Sequence, residues 1–270
     1  MAELKVKYGD WALIAGAAAG IGESFCYALA KRGINVVMID NREDLLHGLS
    51  EKLANDFGIE TLPLCIDLFE KDSINQIIEK TSSIEIRFLI YVAAFSQIKK
   101  FGNFTTDDLE HYININIKTP LKLVHFYSNT WISKKQNGGV LLMSSLAGLL
   151  GMQYIAPYAA TKAFTWNLAE SLHHELKPYK IDVMACIAGA TATEAYLSTN
   201  PQYGLIKPQV QQPATVAELA LQNLGRKALF IPGFSNRFNY FILTRLLPRK
   251  MASYFANRTM KKMYAENVAD

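Results

Sequence analysis

Tyr158 and Lys162 lie four residues apart in a stretch patterned as a helix, so both side chains fall on one helical face. A free tyrosine titrates at about 10, too high for a base at neutral pH, and a neighbouring ammonium favours its phenolate. A tyrosine assisted in this way can exchange a proton with a carbonyl or hydroxyl oxygen. Thirteen residues earlier, Ser145 closes a short apolar run. Strand ends of this kind are where α/β sheets place reactive groups. Taken alone, a Tyr-x-x-x-Lys pair is also a common surface pattern.

A second group of residues suits an anion. The run Trp11-Ala-Leu-Ile-Ala15 leads directly into Gly16-Ala17-Ala18-Ala19-Gly20-Ile21-Gly22. Glycines let the backbone turn tightly and approach a pyrophosphate, and the N-terminus of the helix that follows offers it free N–H groups. The next apolar run ends at Asp40. An acidic side chain about 20 residues beyond the glycines accepts hydrogen bonds from the adenosine ribose and repels a 2′-phosphate. The neutral Asn41 follows it, and neutral Ala19 precedes the second glycine. These residues favour NAD(H) over NADP(H), with Arg42 close enough to be recruited by a 2′-phosphate. Asp40 also stands where it could cap the following helix.

Positioning these groups requires strands that end together. Short apolar runs at 11–15, 34–39, 60–66, 87–93, 139–144, 181–187 and 228–231 read as strands. Helical patterns occupy 21–32, 42–57, 70–83, 105–134, 154–178 and 213–226. Such alternation predicts an α/β Rossmann-like domain, a doubly wound parallel sheet of about seven strands covered on both faces. The domain runs over 1–233 and includes a substrate lid at 190–212. A basic, amphipathic, helical C-terminal extension follows at 234–270.

With order and spacing agreeing across separate segments, the chain resembles the short-chain dehydrogenase/reductase family over about residues 10–235. The resemblance rests on Gly16 to Gly22, Asp67 after the third strand, Asn116 in the long helix, Ser145, and Tyr158-Ala-Ala-Thr-Lys162. It implies that Tyr158 is the general acid/base, that Lys162 lowers its pKa and bonds the nicotinamide ribose, and that Ser145 holds the substrate oxygen. It further implies that Asn116 positions a water in a proton relay. Asp67 and Leu68 would border the adenine, and Gly189, Thr191 and Thr193 the nicotinamide carboxamide. Three segments depart from the family pattern. Ala15-Gly16 replaces Thr-Gly, Tyr91-Val92-Ala93-Ala94 replaces Asn-Asn-Ala-Gly, and Ala188-Gly189 replaces Pro-Gly. Two amides that brace the sheet are thereby lost, while Ala93 and Ala94 still leave room for the cofactor.

Composition narrows the alternatives. The 270 residues are 50% hydrophobic and 19% charged, enough apolar material for a large core. Three cysteines without a CxxC pair argue against a disulfide framework or structural zinc, and Cys65 and Cys186 read as core residues. The five histidines lack a metal-binding arrangement. The N-terminal residues lack the apolar stretch of a signal peptide, which predicts a cytoplasmic chain. The uncharged run from Gln136 to Thr161 is long enough for a membrane span. Its glycines, serines and Pro157 make it a buried strand followed by a loop.

The segments expected to shape substrate choice are mostly uncharged: 146–154, Phe95 and Ile98, and a lid carrying Ala195, Tyr196, Leu197, Tyr203, Leu205 and Ile206 beside Glu194 and Lys207. Apolar walls predict a lipophilic alcohol or ketone. A non-catalytic cofactor-binding sensor or scaffold is the alternative. The family resemblance implies a homodimer or homotetramer through helices 105–134 and 154–178. Residues 1–225 carry a net charge of −3 and residues 226–270 a net +7. No nucleic-acid motif accompanies the basic tail. Basic and apolar residues over 234–262 suit either peripheral contact with an anionic membrane or packing on the body as a pocket roof.

Overall fold

Aliphatic and β-branched runs bounded by turns form seven short strands in the computed structural model, which describes residues 3–203, 208–265 and 268. The elements run α1 (Glu3–Tyr8), β1 (Trp11–Ala15), α2 (Gly20–Ala30), β2 (Asn35–Asp40), α3 (Glu43–Phe57), β3 (Thr61–Cys65), α4 (Ser73–Lys80) and β4 (Ile86–Tyr91). They continue with α5 (Thr106–Ile113), α6 (Thr119–Ser133), β5 (Gly138–Ser145), α7 (Ala156–Leu176), β6 (Ile181–Ala188) and α8 (Glu194–Leu197). The last are α9 (Pro213–Asn223), β7 (Leu229–Phe230), α10 (Phe234–Phe241) and α11 (Arg249–Tyr264).

The strands form one parallel sheet in the order β3-β2-β1-β4-β5-β6-β7. This is the expected doubly wound sheet. The order reverses beside β1, so a crevice opens at the carboxyl ends of β1 and β4, where such sheets bind ligands. Alternate strand residues feed two cores. Ile14, Met38, Phe88 and Met184 pack under α2, α3 and α9. Leu13, Val37, Leu89 and Val183 pack under α4, α6 and α7. No helix among the described residues is long and apolar enough to cross a membrane. The uncharged run from Gln136 instead supplies β5 and a 3-10 turn over Leu146–Leu149 before entering α7.

Four expectations change. Helix α1 carries no strong periodic or capping signal, yet it closes the sheet end by burying Tyr8 against Phe88. The long helix at 105–134 contains a π turn at Asn114–Lys118 between α5 and α6. The strand expected over 228–231 pairs through Leu229 and Phe230 alone. Cys65 is exposed rather than buried, because β3 is an edge strand. Of the lid residues singled out above, Leu205, Ile206 and Lys207 lie outside the described residues.

The C-terminal helices pack onto the body. Ala252 is fully buried against Leu149 and Leu150, with Leu243 and Leu247 beside them. Met260, Tyr264 and Val268 join Ile155 and reach Tyr158 itself. Burying side chains of this size stabilises by about 1.5–3 kcal/mol each, which suffices to hold a short helix in place.

Two glycines should respond oppositely to the same change. Gly16 has φ +83, and a Cβ there would sit 2.6 Å from the Ala93 backbone nitrogen. Gly48 lies within α3 and has nothing within 4 Å of that position. Gly16→Ala should cost about 1–3 kcal/mol of unfolding free energy. Gly48→Ala should add about 0.5–1 kcal/mol. Urea titrations of both variants would measure the difference.

Candidate active site

The β1–α2 turn is tied to β2 before it meets any ligand. The N–H groups of Gly16 and Ala17 both donate to the Ile39 carbonyl, at 2.8 and 3.0 Å. A Cβ on Gly22 would lie 1.8 Å from the Gly16 carbonyl oxygen, so only glycine permits this close return of the chain. Helix α2 starts at Gly20 with Ala19 as its N-cap and no side-chain cap. Its first N–H groups, with Ile21 in the first turn, are therefore directed at the crevice, where an anion satisfies them.

Asp40 borders this turn. Its Oδ2 accepts the Ala18 N–H at 3.0 Å, and the side chain is 6% exposed. Arg42 folds back onto it, donating from Nε to Oδ1 at 2.9 Å and from Nη2 to Oδ2 at 3.1 Å. Burial pushes the Asp40 carboxyl upward, but the Arg42 and Ala18 bonds outweigh it and hold it below its ordinary value. Asp40 does not cap α3. The N-cap is Arg42, without a side-chain bond, because the Asp40 oxygens are already engaged. Asn41 is exposed between them.

The remaining residues expected to border the cofactor lie at neighbouring strand ends. Asp67 is exposed after β3 and accepts the Phe69 N–H at 2.9 Å. Leu68 is buried, and its carbonyl accepts the Thr119 hydroxyl at 3.1 Å. After β4, the Ala93 N–H donates to the Ala15 carbonyl at 2.9 Å, with Ala94 exposed beside it. The glycine turn, the uncapped helix terminus and the acidic end of β2 together fit a dinucleotide.

On the other side of the crevice, β5 and α7 are joined twice. Ser144 donates to the Lys162 carbonyl at 2.7 Å, and Lys162 Nζ donates to the Met143 carbonyl at 2.9 Å. Tyr158 stands one helical turn before Lys162 and is half-buried. Its hydroxyl shares a hydrogen bond with Ser145, whose Oγ also accepts the Ala147 N–H at 3.2 Å.

Burial raises the Tyr158 pKa, and the Ser145 bond offsets this only in part. Burial also lowers Lys162, to about 8. The depressed tyrosine pKa expected from the pair is therefore not found in this arrangement. The ammonium sits over the Tyr158 ring, 5.5 Å from its centroid, and donates to Met143 instead of the phenol. Tyr158 is consequently a protonated phenol at neutral pH, able to give up a proton.

Asn116 lies in the π turn and is buried. Its Oδ1 accepts the Phe95 N–H at 2.8 Å, and its Nδ2 donates to the Phe95 carbonyl and to Thr161 Oγ1. Thr161 in turn donates to the Tyr158 carbonyl at 2.9 Å. The amide is thus spent on the protein, where it clamps the β4–α5 loop to the Tyr158 turn. Past β6, Thr191 is buried and donates to the Gly189 carbonyl at 3.0 Å. Thr193 caps α8, and its methyl lies against Gly20. The segment after β6 thereby returns to the glycine turn.

Several contributing residues carry no sequence signal of their own. Ser144 is one residue from Ser145, and only the strand pleat assigns them different partners. Asn257 is a lone amide in the basic tail, yet it accepts the Gln153 N–H at 2.7 Å and donates to the Gly151 carbonyl at 2.9 Å. It pins α11 over the loop leading to Tyr158. The Gln202 N–H donates to the Met263 carbonyl at 2.9 Å, joining the segment after α8 to the same helix.

The short chain dehydrogenase family model matches residues 10–204. The chain is 31% identical over 237 residues to a 7beta-hydroxysteroid dehydrogenase of Mediterraneibacter gnavus, covering 87% of this chain and 90% of that one. It is 28% identical over 227 residues to a very-long-chain 3-oxoacyl-CoA reductase of Rattus norvegicus, covering 81% and 70%. A solved structure from work on 7beta-hydroxysteroid dehydrogenase stereoselectivity superposes with a TM-score of 0.86 at 26% identity, covering 94% of this chain and 98% of that one. On the match, the sheet order and the strand-end constellation, the chain belongs to the short-chain dehydrogenase family of NAD(P)-dependent oxidoreductases.

Proposed function

We propose that this enzyme interconverts a bulky, lipophilic secondary alcohol and its ketone, with NAD(H) as the preferred cofactor. The observation carrying the substrate class is the surroundings of Tyr158. Ile98, Met152, Met260, Met263 and Tyr264 cluster with it and provide an apolar wall and roof. By their names, two of the relatives above act on a hydroxysteroid and on a long-chain oxoacyl thioester, substrates of the size and polarity that such walls suit.

The nicotinamide, when bound, supplies or takes up the hydride. The chain's own residues manage the oxygen and its proton. Ser145 and Tyr158 hydroxyls hold the substrate oxygen between them. During reduction Tyr158 gives its proton to that oxygen as negative charge develops, and during oxidation the phenolate takes it back. The buried Lys162 ammonium stabilises the phenolate and is placed to hold the nicotinamide ribose. Asn116 acts through Thr161 as a positioning residue for Tyr158. Asp40 takes the adenosine ribose hydroxyls by exchanging its Arg42 hydrogen bonds for them, and the displaced guanidinium, still nearby, reduces the repulsion a 2′-phosphate would meet.

A panel of alcohols and ketones from propanol size to steroid size, assayed with both cofactors, tests this directly. The kcat/KM for steroid-sized substrates should exceed that for propanol by at least about a hundredfold, since each buried methylene contributes about 0.8 kcal/mol. Equal activity on small and large substrates would overturn the lipophilic assignment.

Tyr158→Phe should lower turnover at least about a hundredfold while leaving cofactor binding nearly unchanged. In the unmodified enzyme, ketone reduction needs the protonated phenol and alcohol oxidation needs the phenolate. Reduction should therefore fall, and oxidation rise, as pH increases toward the ordinary tyrosine value of about 10. Initial rates in both directions across that range measure the crossing.

NADH should bind more tightly than NADPH. Asp40→Ala releases Arg42 to face a 2′-phosphate and should shift the Kd ratio toward NADPH by about tenfold, the scale of one hydrogen bond to a charged group. Arg42→Ala should widen the NADH preference. Fluorescence titrations of the three proteins give both ratios.

A further inference from the structure

The tail contains more apolar side chains than its packing on the body uses. Helix α11 turns Ala252, Met260 and Tyr264 inward. Its opposite side carries Met251, Tyr254 and Phe255, exposed at 47%, 61% and 45%, with Arg258 and Lys262 continuing the same stripe at helical spacing. Helix α10 repeats the arrangement. Asn236 is buried, while Phe234, Phe238 and Phe241 are exposed at 76%, 53% and 50% along one face that leads to Arg245. The Phe234 and Phe238 rings lie near-parallel with centroids 6.3 Å apart, a preformed flat aromatic edge. Exposed apolar surface on this scale marks an interaction site.

The charge pattern selects the partner. No acidic residue occurs from Lys227 to Ala265, and residues 226–270 carry nine cations against two anions. Among the described residues, none of the tail's lysines or arginines forms an ion pair. A self-complementary contact through this face would set like charge against like charge. A neutral apolar partner would bury the cations unpaired, at a large desolvation cost. An anionic bilayer satisfies both components, since rings settle at headgroup depth and guanidinium groups meet lipid phosphates.

We propose that the outer faces of α10 and α11 dock the protein on an anionic lipid surface, with the helices lying in the plane of the interface and not crossing it. The proposal is independent of the substrate assigned to the site, because the residues concerned are exposed and none belongs to the cluster around Tyr158.

Co-sedimentation with vesicles of mixed phosphatidylglycerol and phosphatidylcholine, without substrate or cofactor, tests it. The full-length protein should pellet with these vesicles at low salt, release at high salt, and remain in solution with phosphatidylcholine alone. Two surface variants follow: Phe238→Ser with Phe241→Ser and Tyr254→Ser, and Arg245→Glu with Arg258→Glu and Lys262→Glu. Each should lower the pelleted fraction at least about tenfold, since both apolar insertion and charge contribute to such binding. Circular dichroism and turnover of a water-soluble alcohol should match the unmodified protein. If the apolar set perturbs folding, the charge-reversed chain and the salt titration carry the test. Absence of pelleting at low salt by the folded, unmodified protein would overturn the proposal. So would equal pelleting of the charge-reversed chain. If instead sedimentation velocity shows that the substitutions split an oligomer while vesicle binding is absent, the face is a contact between copies and lipid docking is wrong.

Discussion

The pair of hydrogen bonds between β5 and α7 sets the geometry of the whole crevice. Lys162 is 5% exposed, and a buried ammonium persists only where it has an acceptor. Met143 provides that acceptor from the strand, and Ser144 holds the Lys162 carbonyl from the next residue along. Helix α7 is thereby prevented from rotating or sliding against the sheet. Tyr158, one turn earlier, must then face the end of the strand, where Ser145 meets its hydroxyl. Burial acts on both members in the direction that disfavours charge, lowering the lysine and raising the tyrosine. Lys162 at about 8 still carries its proton at neutral pH, while the phenol is uncharged at rest.

Much of this was legible because it depends on chain order. Alternating apolar runs and helical patterns place strand ends together whatever the details of packing, so the glycine turn, Asp40, Ser145 and Tyr158 could be assigned to one crevice. What was not legible depends on which atom meets which. Asp40 and Arg42 are two residues apart, but composition does not say whether the guanidinium points outward or folds back. The burial of Asp40 decides it, since an almost enclosed carboxylate requires both the Ala18 N–H and the arginine fork. Asn116 is similar: its amide type was clear, while its use on Phe95 and Thr161 follows from the π turn that brings it there.

One of the three departures from the family pattern brings a brace of its own. Where the family places amides after the fourth strand, Tyr91 reaches across from β4 and donates its hydroxyl to the Ile115 carbonyl at 2.6 Å. Ile115 belongs to the same π turn that holds Asn116, and such turns rearrange the helical ladder and free backbone groups for other partners. A phenol therefore ties β4 to the π turn, and Asn116 in that turn is linked through Thr161 to the Tyr158 backbone.

The tail shows why amphipathic pattern alone does not determine an orientation. Its inner face is held by small residues such as Ala252 and Ala256, by methionines and by the Asn257 amide, a combination with a weak hydrophobic signature. Its outer face carries the phenylalanines that dominate any sequence pattern. The conspicuous apolar residues are thus not the ones that attach the tail to the body. Attachment needs no charge at all, since the contacts are apolar packing and amide hydrogen bonds. The excess of cations in 226–270 therefore has no part in the attachment, and the exposed cations stay available for the lipid contact proposed above.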